Sequence, residues 1–406
     1  MQRTKLASGD CFIQWQSADA LHTDRQFFSK IDFWRDILPG DLGEQLLDNG
    51  PGINAEVDVA PGEQIPHVDV QAVHSVRKQA VSAAFSARHL TEPCEGRFYP
   101  RGLLAGCAGF SDIFRQDPHP FRVSRVEDEC IKVDLNHPLA GYPLKVGARI
   151  DRFLGTREER GGQCNHIVAD IAEMGPGMQC RPDNAGVSYI HADAFNRTDD
   201  SDDAEFYQPP RLVHHIDSKA RAIINRIYRG FIKPDMRVLD LMSSWVSHLD
   251  GVPESVEITG LGMNATELAA NPQLAGYLLH DLNSAPRLRY ADASFDIVIC
   301  SASVEYLVHP FEIFSEVGRI LKPGGHFIVT FSDRWFPPKV IQLWTELHPF
   351  ERMGLVLEYF RQSGQFCALA TESCRGWARP DDDKYYPQRL LADPVYAVWG
   401  KRKSPD

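Results

Sequence analysis

Three short runs in the second half of the chain place acidic, small and polar residues directly after apolar stretches. Asp240-Leu241-Met242-Ser243-Ser244-Trp245 follows Val238-Leu239; Gly260-Leu261-Gly262-Met263-Asn264 closes a run beginning near 255; His280-Asp281-Leu282-Asn283 follows Leu278-Leu279. These residue types suit a ligand with several functional groups. Carboxylates accept from amino and hydroxyl groups, serine hydroxyls bond to polar ends, and glycine lets the backbone come close. Asn264 is also a natural cap for a helix that follows, and Asp281 a natural turn residue. A second set suits proton handling: Tyr207, His214 and His215 in FYQPPRLVHHID (206–217), then Ser301, Ser303, Glu305 and Tyr306. The charged aromatic run 375–386 is either a wall over a site or a solvated loop. Cys164, His166 and Cys180 match no strong zinc spacing, so no metal is expected.

The elements that position these residues are legible from periodicity. Residues 295–300 and 326–331 are apolar strands, and between them Phe311, Ile313, Phe314, Val317, Ile320 and Leu321 repeat with helical period. Lys322-Pro323-Gly324-Gly325 stops that helix. A strand, a helix and a second buried strand make a β-α-β unit of a doubly wound sheet. Upstream, a helix over 217–231 capped by Asp217 or Ser218, strands at 237–241 and 255–261, and a helix over 266–279 continue the alternation; a late strand is expected at 395–401. Residues 121–126, 130–134 and 143–151 read as three short strands, and 37–47 as a turn into an amphipathic helix.

A chain of 406 residues exceeds one small core, so two to three domains are expected. Five acidic residues among the seven from Asp199 to Glu205 self-repel, and 156–203 reads as an irregular connector ending in an exposed acidic linker. The expected domains are 1–155 and 204–406. A net charge of −12 argues against nucleic acid or an anionic membrane as partner. Nine cysteines without a C-x-x-C pair, no leader-like N-terminus and no long apolar run make a cytoplasmic chain the expectation.

The back half resembles the class I S-adenosylmethionine-dependent methyltransferases. Ala291-Asp292-Ala293-Ser294-Phe295-Asp296 matches that family's lead into the fourth strand, and Arg319-Ile320-Leu321-Lys322-Pro323-Gly324-Gly325 its lead into the fifth. The resemblance implies a Rossmann-like sheet with S-adenosyl-L-methionine bound at the carboxyl ends of the first strands. Asp240, Met242, Ser243, Ser244, Gly262, Met263, Asn264, Asp281, Leu282 and Ser301 would then hold the cofactor, with Asp281 on the adenine amino group. Tyr207, His215 and Tyr306 would serve the acceptor side. The chain departs from the family by lacking the glycines of the first loop, where Trp245 crowds the approach, and the ribose-binding acid of the second.

Residues 25–152 resemble the FKBP-type prolyl isomerases of the bacterial two-domain subgroup. The resemblance rests on Asp134-Leu135-Asn136-His137-Pro138-Leu139-Ala140-Gly141 and on Leu38-Pro39-Gly40-Asp41-Leu42-Gly43-Glu44. It implies an α+β antiparallel-sheet domain with a substrate-holding flap insert near 66–100. Two aromatics of that family's bowl are absent, at 62–67 and at Val146, so isomerase activity is expected to be low or nil and the domain to bind polypeptide or serve docking. The leading expectation is methyl transfer to an unidentified small-molecule or protein acceptor. The alternative is an isomerase or chaperone-like binding protein whose methyltransferase-shaped domain is not catalytic.

Overall fold

The computed structural model describes residues 4–86, 92–181 and 186–404. The chain forms two units, one of 1–18, 22–191 and 346–354, the other of 19–21, 192–345 and 355–406.

In the first unit, β1 (Lys5–Gln16), β2 (Ala20–Asp32), β3 (Asn54–Val59) and β8 (Leu144–Thr156) lie in the order β2-β1-β8-β3. β8 runs antiparallel to β1 and β3. α1 (Leu42–Asn49) buries Leu42, Leu46 and Leu47, and its apolar face joins Trp15, Ile13, Val146 and Ile150 in one core. Trp15 donates its indole N–H to buried Asp24 at 3.0 Å and stacks on His22. A second sheet, β4-β7-β6-β5, combines β4 (Val73–Arg77), β5 (Phe98–Pro100), β6 (Pro120–Val126) and β7 (Cys130–Asp134). Between β4 and β5 comes α2 (Lys78–Ser86). The strands expected at 121–126 and 130–134 therefore pair with residues near 75 and 99, in a different sheet from 144–156. Their inward residues Phe121, Val123, Ile131 and Val133 are fully buried with Leu103 and Leu104, which leaves no face for the other sheet.

The chain divides at His191/Ala192 rather than at 155 and 204. In the stretch expected to be irregular, α3 (Ile167–Ala172) puts Ile167, Val168 and Ile171 into the core of the first unit. The acidic run is exposed at Asp200, Asp202 and Glu205 as expected, but Asp203 is buried and anchored. Lys339, with no exposed surface, donates to the Ser201 carbonyl at 2.6 Å and lies 3.2 Å from the Asp203 carboxylate. Arg197 grips Asp203 in bidentate fashion at 2.7 and 2.9 Å. Lys339 and Arg197 thus neutralise Asp203 where it is buried, and Asp202 caps α4 (Asp203–Tyr207).

The second unit is the expected doubly wound sheet. It is built from β9 (Arg237–Leu241), β10 (Glu257–Gly262), β11 (Gly276–Leu279), β12 (Phe295–Ser301), β13 (Leu321–Phe331), β14 (Phe366–Arg375) and β15 (Val395–Arg402). Their order is β11-β10-β9-β12-β13-β15-β14. The strands from β11 to β13 are parallel and β15 is antiparallel to both its neighbours. The order reverses between β9 and β12, which is where open α/β sheets leave a crevice. α5 (Ser218–Arg229) is capped by Asp217, which accepts from Ala220 N at 2.8 Å, and packs Ile223, Ile224, Ile227 and Tyr228 against the sheet. α7 (Pro310–Ile320) does the same with Ile313, Phe314 and Val317. The helix expected over 266–279 is shorter: α6 spans Ala265–Ala270 and gives way to β11. Pro272 disfavours helical backbone at Asn271 and forces the stop.

Candidate functional site

The thirteen residues singled out from the sequence surround one cavity of about 370 Å³ at the carboxyl ends of these strands. Asp240, Met242, Ser243 and Ser244 come from the end of β9, Gly262, Met263 and Asn264 from β10, Asp281 and Leu282 from β11, and Ser301 and Tyr306 from β12. Tyr207 and His215 come from the segment before α5.

Asp240 is 2% exposed and accepts the Ser243 hydroxyl at 2.5 Å. Burial pushes its carboxyl up to about 6, and the Ser243 and Ser247 hydroxyls hold it from rising further. The rise from 3.8 corresponds to roughly 3 kcal/mol. Its sign follows from linkage: a carboxyl that titrates higher in the folded chain gives a stability contribution that is whole below 3.8 and lost as the pH climbs through about 6.

The first loop keeps the path that a glycine would take without having one. Met242 sits at φ +58°, a left-handed conformation that costs a non-glycine residue about 1–2 kcal/mol. Gly262 explains the second loop. A Cβ built there overlaps the carbonyl oxygen of Ser243, whose N–H donates to Leu261 O at 2.7 Å. The Gly262 carbonyl accepts from His280 N at 2.9 Å, so backbone bonds fasten all three strand-end loops to one another. Trp245 lines the cavity and is fixed there: its indole N–H donates to Val213 O at 3.2 Å, and His214 stacks on it with ring centres 4.6 Å apart.

Asn264 has the structural role alone. Its side-chain oxygen accepts from Thr266 N and Glu267 N, and its amide nitrogen donates to the Tyr207 and Gln208 carbonyls at 2.9 and 2.8 Å. With both ends engaged it is a cap and clamp, not a ready partner for a ribose. Asp281 uses Oδ1 to accept from Asn283 N at 2.8 Å, and Oδ2 has no hydrogen bond to the protein among the described residues.

The other end of the cavity is aromatic. Phe336 packs against Tyr207, Tyr306, His215 and Phe206, with ring centres 5.1–6.5 Å apart. The Tyr306 hydroxyl accepts from Phe336 N at 2.8 Å. The buried Tyr207 hydroxyl has no hydrogen-bond partner among the described residues, and burial followed by Asp203 and Glu305 raises its pKa. Burial first, then Lys384, lowers the pKa of His215, which favours a neutral imidazole able to take a proton. Asn283 ties this end together, donating to Asp203 and to Tyr306 O, each at 2.9 Å.

Sequence reading missed Arg211, Glu267, Arg334 and Phe336 as lining residues. Arg334 and Phe336 follow the end of β13, and position at a strand end was the signal that pointed to them. The 375–386 run contributes Lys384 and Tyr385 to the wall, held there by Arg379, which bonds Asp383 at 2.8 Å and Asp393 at 2.7 Å. Among the described residues no group of His, Cys, Asp or Glu is placed to hold a metal, and no helix is long and apolar enough to cross a membrane.

Residues 247–329 match the family model described as a methyltransferase domain. A ubiquinone/menaquinone biosynthesis C-methyltransferase of Laribacter hongkongensis is 26% identical over 184 residues, which cover 42% of this chain and 73% of that protein. A malonyl-[acyl-carrier protein] O-methyltransferase of Marinomonas sp. is 30% identical over 85 residues, 20% of this chain and 32% of that protein; here the chain spans only about a third of its relative. A solved S-adenosylmethionine-dependent methyltransferase from Aquifex aeolicus, 15% identical, aligns over 49% of this chain and 96% of its own with a TM-score of 0.31. The second unit thus carries a class I methyltransferase domain with a Rossmann-like fold. The chain is an S-adenosylmethionine-dependent methyltransferase and S-adenosylmethionine is its cofactor.

Proposed function

We propose that the cavity at the ends of β9–β13 binds S-adenosylmethionine and an acceptor, and that Tyr207, His215 and Tyr306 serve the acceptor. The observation that carries this reading is the convergence of acid, hydroxyl and glycine loops on one cavity with an aromatic, base-bearing end. The residues fit the cofactor chemically. Asp240 suits its ammonium group, Ser243 and Ser244 its polar end, the bare backbone at Gly262 a close approach, Met263 and Leu282 an adenine face, and Asp281 an exocyclic amine. When bound, the cofactor supplies an electrophilic methyl group on a sulfonium centre. An acceptor held against Tyr207 and Tyr306 would take that methyl group on a lone pair, and His215 would accept the proton the acceptor gives up. Similar proteins are named for C-methylation in ubiquinone/menaquinone biosynthesis and for O-methylation of malonyl-[acyl-carrier protein]; the acceptor here is a small molecule or a protein.

Two outcomes test the cofactor half. Asp281→Ala removes a charge-assisted hydrogen bond and is expected to weaken S-adenosylhomocysteine binding about tenfold in calorimetry; unchanged affinity would move the adenine elsewhere. Affinity should also fall with acidity. A bound ammonium favours ionised Asp240, and in the free protein that carboxyl titrates near 6. Below that value binding must expel a proton, so the dissociation constant should rise up to about tenfold per pH unit. In Asp240→Asn the slope should vanish; a wild-type profile flat from about pH 5 to 7 would contradict the pairing.

For the first unit we propose an FKBP-like fold of low or no isomerase activity that binds polypeptide or serves docking, with its flap insert formed by the β4–β7 sheet. Supporting this are α1 against the β1-β8-β3 sheet and the small Val146 where the family carries Phe. A prolyl-peptide assay on the full chain is expected to show turnover near the uncatalysed rate; efficient turnover would overturn the assignment.

A further inference from the structure

The aromatic end of the cavity holds cationic side chains whose N–H groups the protein satisfies only in part. Arg211 makes no ion pair among the described residues. Its one guanidinium hydrogen bond goes to Phe206 O at 2.9 Å, and its plane lies over Phe206 and Phe336 with centres 4.7 and 5.3 Å away. Arg334 donates Nε to Asp393 at 3.0 Å, yet its Nη2 is buried with no hydrogen-bond partner among the described residues. Lys384 lies on the same wall. All three line the cavity together with His215.

Three of the carboxylates nearby are already engaged. Asp203 is held by Arg197 and Lys339, Asp393 is shared between Arg334 and Arg379, and Glu267 accepts the Ser244 hydroxyl and Arg211 N. A buried guanidinium N–H without an acceptor is costly and calls for an oxyanion.

Building on the methyltransferase reading, we propose that the acceptor carries an oxyanion, carboxylate or phosphate, on a planar apolar body, with Arg211 and Arg334 gripping the oxyanion and Phe336, Tyr207 and Tyr306 enclosing the body. The oxyanion is the handle and a different atom takes the methyl group, because lone pairs committed to a guanidinium are poor nucleophiles.

The test uses the full chain saturated with S-adenosylhomocysteine and titrated with 4-hydroxybenzoate, phenyl phosphate and the neutral 4-hydroxybenzamide. The anions should bind at least about tenfold tighter than the amide, and the tighter of the two names the oxyanion. Arg334→Gln, and independently Arg211→Gln, should weaken the anions at least about tenfold while S-adenosylhomocysteine affinity stays within about twofold. The second variant keeps the test intact if loss of the Asp393 bond unfolds the first. Equal binding of the amide, no anion binding up to tens of millimolar, or loss of S-adenosylhomocysteine affinity in place of anion affinity would overturn the proposal. If S-adenosylhomocysteine does not bind the wild type, the methyltransferase site itself is wrong; the same anions titrated into the ligand-free chain then still report on the oxyanion site separately.

Discussion

Gly262→Ala is expected to weaken S-adenosylhomocysteine binding by about 2 kcal/mol, roughly thirtyfold, while the chain still folds. The added Cβ would overlap the Ser243 carbonyl oxygen, and backbone cannot swing aside as a side-chain tip can. Ser243 is pinned by its N–H to Leu261 O, and the Gly262 carbonyl holds His280 N, so a shift at one loop propagates to the other two. Overpacking of this kind costs about 1–3 kcal/mol. Here it falls where Asp240, Ser243 and Asp281 meet, so it should appear in affinity more than in melting temperature. Calorimetry and thermal unfolding of the same preparation separate the two. Affinity within about twofold of wild type, with the fold intact, would mean the cofactor does not lie against this turn.

Lys339→Met is expected to destabilise the second unit by about 3–5 kcal/mol, since removing one partner strands buried opposite charge. Lys339 has no exposed surface and bonds the Asp199 and Ser201 carbonyls and Asp203. Asp203 in turn holds Asn283, which bonds Tyr306 O, so the loss reaches the acceptor end of the cavity. Denaturant unfolding should show the drop. The double variant Lys339→Met with Asp203→Asn should recover none of it, because Arg197 then loses the carboxylate it grips. A single-variant loss below about 1 kcal/mol would show the pair to be replaceable.

The methyltransferase unit was legible because its signals are local. The strand–helix–strand pattern of 295–331 and the Asp217 cap come from short-range periodicity and chemistry, and the site residues sit where parallel strands end. What stayed hidden depends on distant partners. Nothing near Asp199–Glu205 in sequence announces Lys339, about 135 residues on, so the one buried acid of the run, Asp203, read as solvated like its exposed neighbours. Asn264 looked like a ligand group and a cap alike, and only the Tyr207 and Gln208 carbonyls decide between them. Trp245 is in the cavity wall as its position in the first loop implied, and the Val213 and His214 contacts that hold it there come from a segment about thirty residues earlier. In the first unit, 121–134 carries the same alternation whichever sheet receives it, and periodicity does not name a partner strand.

Calorimetric titration of S-adenosylhomocysteine into the full chain near neutral pH tests the central claim most directly. One site of roughly micromolar affinity, weakened in Asp281→Ala and Gly262→Ala alike, is the predicted result. No heat of binding and no rise in melting temperature at millimolar ligand would contradict it, because a native-state site of that affinity must raise the melting temperature by mass action.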